Sequence, residues 1–291
     1  MTKRTSKLRV THMSLPLVLS ASELQQTLAQ LTTEGKSLAN AGLCLVDLRS
    51  AEAYAAGHIE GAVNANAALM NRSEPPVGGL MPEPAAVNTF LQSIGARLGD
   101  QIIAYDGGLE TSAARLVWVM DAYGYEACSW LSGGFQSWIA DGNAASKTST
   151  TVITGDLTLN LIGDNAISVD ALMAELGKPN IKILDVRSAD EFNGADVRAA
   201  FAGHVPGAEH VEWTRMLDEH GHLLDDATLE KQLEALGASH DDTVIAYCQT
   251  HQRSALTYVA LKHLGYKDVR AIDGAWSAWG NREDTPKQTG V

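Results

Sequence analysis

Short apolar runs begin at Cys44, Ile102, Ile183 and Val244, each closed by charged or glycine-containing turns, and they read as fully buried strands. Between and after them lie longer segments with apolar residues at helical spacing. Two such amphipathic helices follow Asp106 and Cys248 and end near Gly124 and Gly265. Strands that alternate with helices predict parallel sheets covered on both faces. At the start of the chain, Lys3, Arg4, Lys7 and Arg9 precede SLPLVLSAS, a pattern that imitates a leader peptide. Its apolar core reaches only from Leu15 to Leu19, is broken by Pro16, and runs straight into a polar helical pattern. The expectation is a short strand followed by a helix capped near Ser20 or Ser22.

The block pattern occurs twice. Each copy opens on a strand ending in Asp-x-Arg-Ser (Asp47–Ser50; Asp185–Ser188), then a helix start, then Gly-His-x-x-Gly-Ala at Gly57 and Gly203. Each has a second strand ending in Tyr105 or Tyr247, and each closes on a glycine followed by aromatics, SGGFQSW and DGAWSAW. The polar stretch from Asp141 to Asp156 has linker composition. The predicted organisation is an α/β chain with domains at 15–142 and 161–285, joined by a linker over 143–160. The residue after the second strand differs between the copies: Asp106 in the first, Cys248 in the second. Asp106 and Cys248 are 142 residues apart, whereas Gly124 and Gly265 are 141 apart, so the first loop is one residue longer. A duplicated scaffold with one reactive side chain in one copy points to a single active site at Cys248.

Composition narrows the classes of function. A length of 291 residues suits two domains, each able to bury its own core. The net charge of −13 makes nucleic acid and anionic membranes poor partners, and no apolar run approaches a membrane span. An anionic substrate therefore has to be held by local positive groups. Three cysteines without a CxxC pattern form no disulfide framework and fit a reducing, cytoplasmic setting. Two modules packed together suffice for a monomer.

Cys248 follows a strand and precedes a helix expected to start near Arg253 or Ser254. The crevice beyond the carboxyl ends of parallel strands is where ligands bind in open α/β sheets. A tight loop feeding a helix start aims several backbone N–H groups at one spot, and that field favours a thiolate. Arg253 adds a permanent cation with a donor fork suited to oxyanions. The competing reading is a small buried cysteine, the commoner fate of a lone thiol at a strand end. His251 lies within the loop and could stabilise charge. His58 and His204 recur in both copies, including the one without a thiol, so a structural hydrogen-bonding role is expected; the same logic demotes Asp47 and Arg49. Asp185 is expected to anchor the loop or Arg187. The histidines show no metal-ligand spacing, so no metal is expected. Trp213, Trp276 and Trp279 read as core or interface aromatics.

DVRS at Asp185–Ser188, GHVPGA at Gly203–Ala208, YCQTHQRS at Tyr247–Ser254 and the terminal DGAWSAW, in that order and partly duplicated, resemble the rhodanese superfamily, specifically its tandem-domain sulfurtransferases. The resemblance spans roughly Leu15 to Trp279. It implies two rhodanese-like domains, the second catalytic, with Cys248 carrying a sulfane sulfur as a persulfide. It implies that the amides of Gln249, Thr250, His251, Gln252, Arg253 and Ser254 cradle persulfide and substrate, and that Arg187 contacts substrate. Thiosulfate is the implied donor, cyanide or a thiol the acceptor, and no cofactor is required. A 3-mercaptopyruvate sulfurtransferase is the nearest alternative, although such enzymes show a Cys-Gly-x-Gly loop and a further arginine where this chain has Glu191. A cysteine phosphatase would need Cys-x5-Arg, whereas Cys248 to Arg253 is Cys-x4-Arg. A persulfide carrier that delivers sulfur to a partner protein would share the chemistry and differ only in acceptor.

Overall fold

A computed structural model describes residues 15–109 and 111–290. The basic residues Lys3 to Arg9, and their reading as an imitation leader, lie outside the described residues. The chain forms two compact units: one from the residues through Met70, Pro82–Gly163 and Glu219–His222, the other from Asn71–Met81, Asp164–Asp218 and Leu223 onward.

The first unit opens with β1 (Val18–Leu19) and α1 (Ala21–Thr33). Ser20 caps α1 in a reciprocal box with Glu23, which satisfies two orphan N–H groups at the helix start. There follow β2 (Leu43–Asp47), α2 (Ala51–Ala56) and β3 (Val63–Asn64). The chain next forms the antiparallel hairpin of β4 (Arg72–Glu74) and β5 (Val77–Leu80), which belongs to the second unit. It returns through α3 (Pro84–Ser93), β6 (Gln101–Tyr105), α4 (Ser112–Ala122), β7 (Cys128–Leu131) and α5 (Gly134–Ala140). The sheet order is β1-β7-β6-β2-β3, all parallel.

The second unit contains β8 (Ala166–Ile167), α6 (Val169–Glu175), β9 (Ile181–Asp185), α7 (Ala189–Asn193) and β10 (Ala208–His210). It continues with α8 (Asp226–Ala235), β11 (Thr243–Tyr247), α9 (Arg253–His263), β12 (Asp268–Ile272) and α10 (Ala275–Trp279). Its sheet, β10-β9-β11-β12-β8, is also parallel and repeats the first in the same relative order. Even the register is repeated: Asp47 pairs with Tyr105, and Asp185 with Tyr247. Every residue of the central strands β6 and β11 is buried, as expected for strands covered on both faces. Residues 143–160 carry no helix or strand. Among the described residues no helix is long and apolar enough to cross a membrane.

One core cluster of the first unit joins Leu24, Ile103, Tyr105 and Trp138, and its counterpart in the second joins Leu172, Ile245, Tyr247, Trp276 and Trp279. The two late tryptophans are thus core aromatics. Val77 of the hairpin packs on the second cluster, so a stretch encoded in the first half of the chain completes the core of the unit built on the second half.

Candidate active site

Cys248 stands at the carboxyl end of β11, and α9 begins five residues later at Arg253. The loop between them is shaped by where its carbonyls go. Trp276 N donates to the Cys248 carbonyl at 2.9 Å and Ser277 N to the Gln249 carbonyl at 2.9 Å, so the start of α10 draws two loop carbonyls away. His251 has φ +52, a left-handed conformation, and is followed by right-handed Gln252. Alternation of this kind makes a concave row of N–H groups. Among the described residues, the backbone N–H groups of Gln249, Thr250, Gln252, Arg253 and Ser254 donate to no protein acceptor. A row of open donors at a helix start suits an anion. The His251 ring is fully buried, and its Nδ1 shares a 2.6 Å hydrogen bond with Ser254 Oγ. The ring therefore braces the loop from within.

In the first unit the corresponding loop is filled by its own side chain. Phe135 N donates to the Asp106 carbonyl at 2.8 Å, as Trp276 does for Cys248. The Asp106 carboxylate, however, turns inward: Oδ1 accepts from Gly108 N at 3.1 Å and Oδ2 from Ala113 N at 3.0 Å. A fixed anion occupies the donors that the second unit leaves open, which is why the duplicated scaffold offers one cradle.

Cys248 itself is 1% exposed, at the floor of the loop. Its charged neighbour is Arg253, whose guanidinium interacts with the thiol and forms a bidentate pair with Glu191 at 2.6 and 2.8 Å. Burial works against that cation, but Glu191 and the thiol overcome it and raise the Arg253 pKa further. Glu191 is 1% exposed, and burial alone would raise its pKa; Arg253 and the Ser188 amide instead hold it down to about 2. Arg198 approaches the same carboxylate at 3.8 Å while its side chain stays half exposed, and its carbonyl accepts from Gln249 Nε2 at 2.9 Å. The site is thus one buried carboxylate between two guanidiniums, beside a thiol.

Arg187, the substrate contact that the resemblance implies, is held by the protein's own groups. It is 1% exposed, gripped by Asp185 through Nε at 2.9 Å and Nη2 at 2.6 Å, with Nη2 also donating to the Gly203 carbonyl at 2.7 Å. Its guanidinium lies over Trp276 at 4.4 Å. These bonds join the strand end to the Gly203 turn. Arg49 repeats the arrangement with Asp47, the Gly57 carbonyl and Phe135 in the unit without a thiol at that position. The paired histidines are structural: His58 is stacked on Tyr54 and His204 on Phe192, each at 3.7 Å, with Nδ1 bonded to that partner's carbonyl.

Sequence reasoning missed Glu191 as the clamp of Arg253, and it missed Arg198. The Ser-x-x-Glu spacing of a capping box at Ser188 was visible, but the approach of Arg253, 62 positions away, has no local signature.

The model for the rhodanese-like domain matches the chain twice, over residues 24–141 and 168–282. A thiosulfate sulfurtransferase of Pseudomonas aeruginosa is 37% identical over 272 residues, covering 94% of this chain and 97% of that protein. The 3-mercaptopyruvate sulfurtransferase of Escherichia coli K12 is 29% identical over 243 residues, covering 82% of this chain and 86% of its own. Among solved structures, the anaerobic ergothioneine biosynthesis enzyme from Chlorobium limicola, in complex with trimethyl histidine, aligns with a TM-score of 0.80 at 21% identity. It covers 94% of this chain and 70% of that one, a likeness of fold. Two copies of the domain, sheets of the same order, and full-length relatives together assign the chain to the rhodanese-like domain family.

Proposed function

We propose that the protein is a thiosulfate sulfurtransferase that works through a persulfide on Cys248. The observation that carries this reading is the row of open N–H donors around a thiol, set against the equivalent row in the first unit that Asp106 already fills. The Cys248 thiolate attacks the outer sulfur of thiosulfate. A new S–S bond forms, the old one breaks, and sulfite leaves with the electron pair. Cyanide or a thiolate then attacks the terminal sulfur of the persulfide and releases the Cys248 thiolate, a two-step exchange with no cofactor. The open amides of Gln249, Thr250, Gln252, Arg253 and Ser254 hold the anionic persulfide, and the Arg253 guanidinium, oriented by Glu191, stabilises charge beside it. Asp185 and Arg187 keep the strand end rigid. Three free cysteines suit a reducing, cytoplasmic setting.

Glu191 favours thiosulfate over 3-mercaptopyruvate, because it neutralises one of the two guanidiniums that could face a substrate carboxylate. Intact-protein mass spectrometry after incubation with thiosulfate tests the reading. Wild type gains one sulfur, added cyanide removes it, and Cys248→Ser gains none. Loading from 3-mercaptopyruvate but not from thiosulfate overturns the donor, and loading of Cys248→Ser overturns the carrier.

A further inference from the structure

The hairpin of β4 and β5 is encoded in the first half of the chain, yet within the second unit it is stitched to the cysteine loop. Ser277 makes the main stitch. Its N–H donates to the Gln249 carbonyl at 2.9 Å, and its hydroxyl accepts from Gly78 N at 3.0 Å. Met81 N donates to Asp273 Oδ1 at 2.7 Å, fixing the end of the hairpin beside the turn that leads into α10. Asn71, just before β4, accepts through Oδ1 from Gln252 Nε2. Gly79 lies directly on Thr250. It has φ +72, and a Cβ built there would overlap the Thr250 carbonyl oxygen and come within 2.7 Å of the Thr250 Cα. Both the backbone angle and the space therefore demand glycine.

We propose that Asn71 and Gly79 are positioning residues for sulfur transfer, with the hairpin serving as the template on which the Cys248 loop takes its donor geometry. A planar trans peptide directs its N–H opposite its C=O. Seating the Thr250 carbonyl on Gly79 thus fixes the plane of the Thr250–His251 amide, and with it the left-handed turn at His251 that leads into the open Gln252 N–H. Holding Gln252 through Asn71 does the same for the last residue before α9. A left-handed His251 is costly for a residue with a side chain, and a backbone wall on the outside of the loop is what keeps it there. The inference rests on the persulfide reading above.

The test is the rate of sulfur loading at saturating thiosulfate, followed by mass spectrometry in a single turnover of the full-length protein. In Gly79→Ala the loop backbone has to shift, and the loading rate falls about tenfold or more, the scale on which small misplacements of reacting groups act. Asn71→Ala lowers it about threefold, roughly the effect of one lost positioning hydrogen bond. Asn71→Asp, which retains an acceptor oxygen for Gln252, recovers most of that loss. Melting temperature and far-UV spectrum show whether each variant is folded, and should Gly79→Ala not fold, the Asn71 pair decides. Loading at the wild-type rate by the folded variants, or equal loss in Asn71→Ala and Asn71→Asp, overturns the inference. Absence of loading in the wild type sinks the persulfide reading itself, and this inference with it.

Discussion

Glu191 combines a local role with a distant one. Its backbone N–H and side chain complete the capping box with Ser188, and the same carboxylate takes the Arg253 fork. A buried carboxylate so held is ionised throughout the physiological range, and Arg253 is oriented rather than free. Replacing it in Glu191→Gln removes the charge and leaves Arg253 to swing. Turnover with thiosulfate should fall by about tenfold, as expected when an oriented charged group is lost. The pH dependence of stability has a definite sign. The folded carboxyl titrates at about 2, below its ordinary 4.5, so its stabilisation is present above that ordinary value and is lost as pH falls toward 2. Urea unfolding should therefore find Glu191→Gln less stable than wild type at about pH 7, with the gap narrowing by about pH 3. A gap that persists unchanged in acid would contradict the ionised pair.

The helices α1 and α7 start with the same capping device, and they separate stability from function. Ser20 with Glu23 opens α1 on the surface of the first unit, and Ser188 with Glu191 opens α7 beside the cysteine loop. Alanine at either serine leaves a helix-start N–H without its acceptor and costs about 1 kcal/mol. The expected outcomes diverge in activity. Ser20→Ala lowers the unfolding midpoint and leaves sulfur loading intact. Ser188→Ala lowers it by a similar amount and also slows loading, because Glu191 loses the partner that aligns it with Arg253. Equal loading rates in the two variants would show that the clamp holds without its cap. Boxes of this kind are legible in a sequence, since Ser-x-x-Glu is a local pattern. Which of two identical boxes borders a reaction centre is not, because that depends on what the fold lays beside it.

Duplication organises the molecule as a whole. The sheets repeat in order and register, the Asp-Arg locks at Asp47–Arg49 and Asp185–Arg187 repeat in geometry, and the histidine stacks repeat on Tyr54 and Phe192. The loop after the central strand diverges, through one extra residue and a carboxylate that accepts from its own loop and helix start. Restoring a thiol alone should not restore a site. In Asp106→Cys, thiosulfate treatment is expected to add a single sulfur per chain, as in wild type, and none in the double variant with Cys248→Ser. A second sulfur on the Asp106→Cys chain would mean that loop length is unimportant and that the missing nucleophile alone silenced the first copy.

The duplicated order of strands and helices, the paired Asp-x-Arg and Gly-His motifs and the lone thiol at a strand end could all be read from residue patterns. Each depends on neighbours a few positions apart, where periodicity and turn chemistry act directly. The pairing of Glu191 with Arg253, the seating of Thr250 on Gly79 and the burial of Arg187 could not. They join residues 16 positions apart (Arg187 and Gly203), 62 apart (Glu191 and Arg253) and 171 apart (250 − 79, Thr250 and Gly79), and no spacing along the chain encodes that proximity. Arg187 illustrates the difference most sharply: its motif is visible in the sequence, but only the folded chain lays the Gly203 carbonyl and the Trp276 ring against its guanidinium.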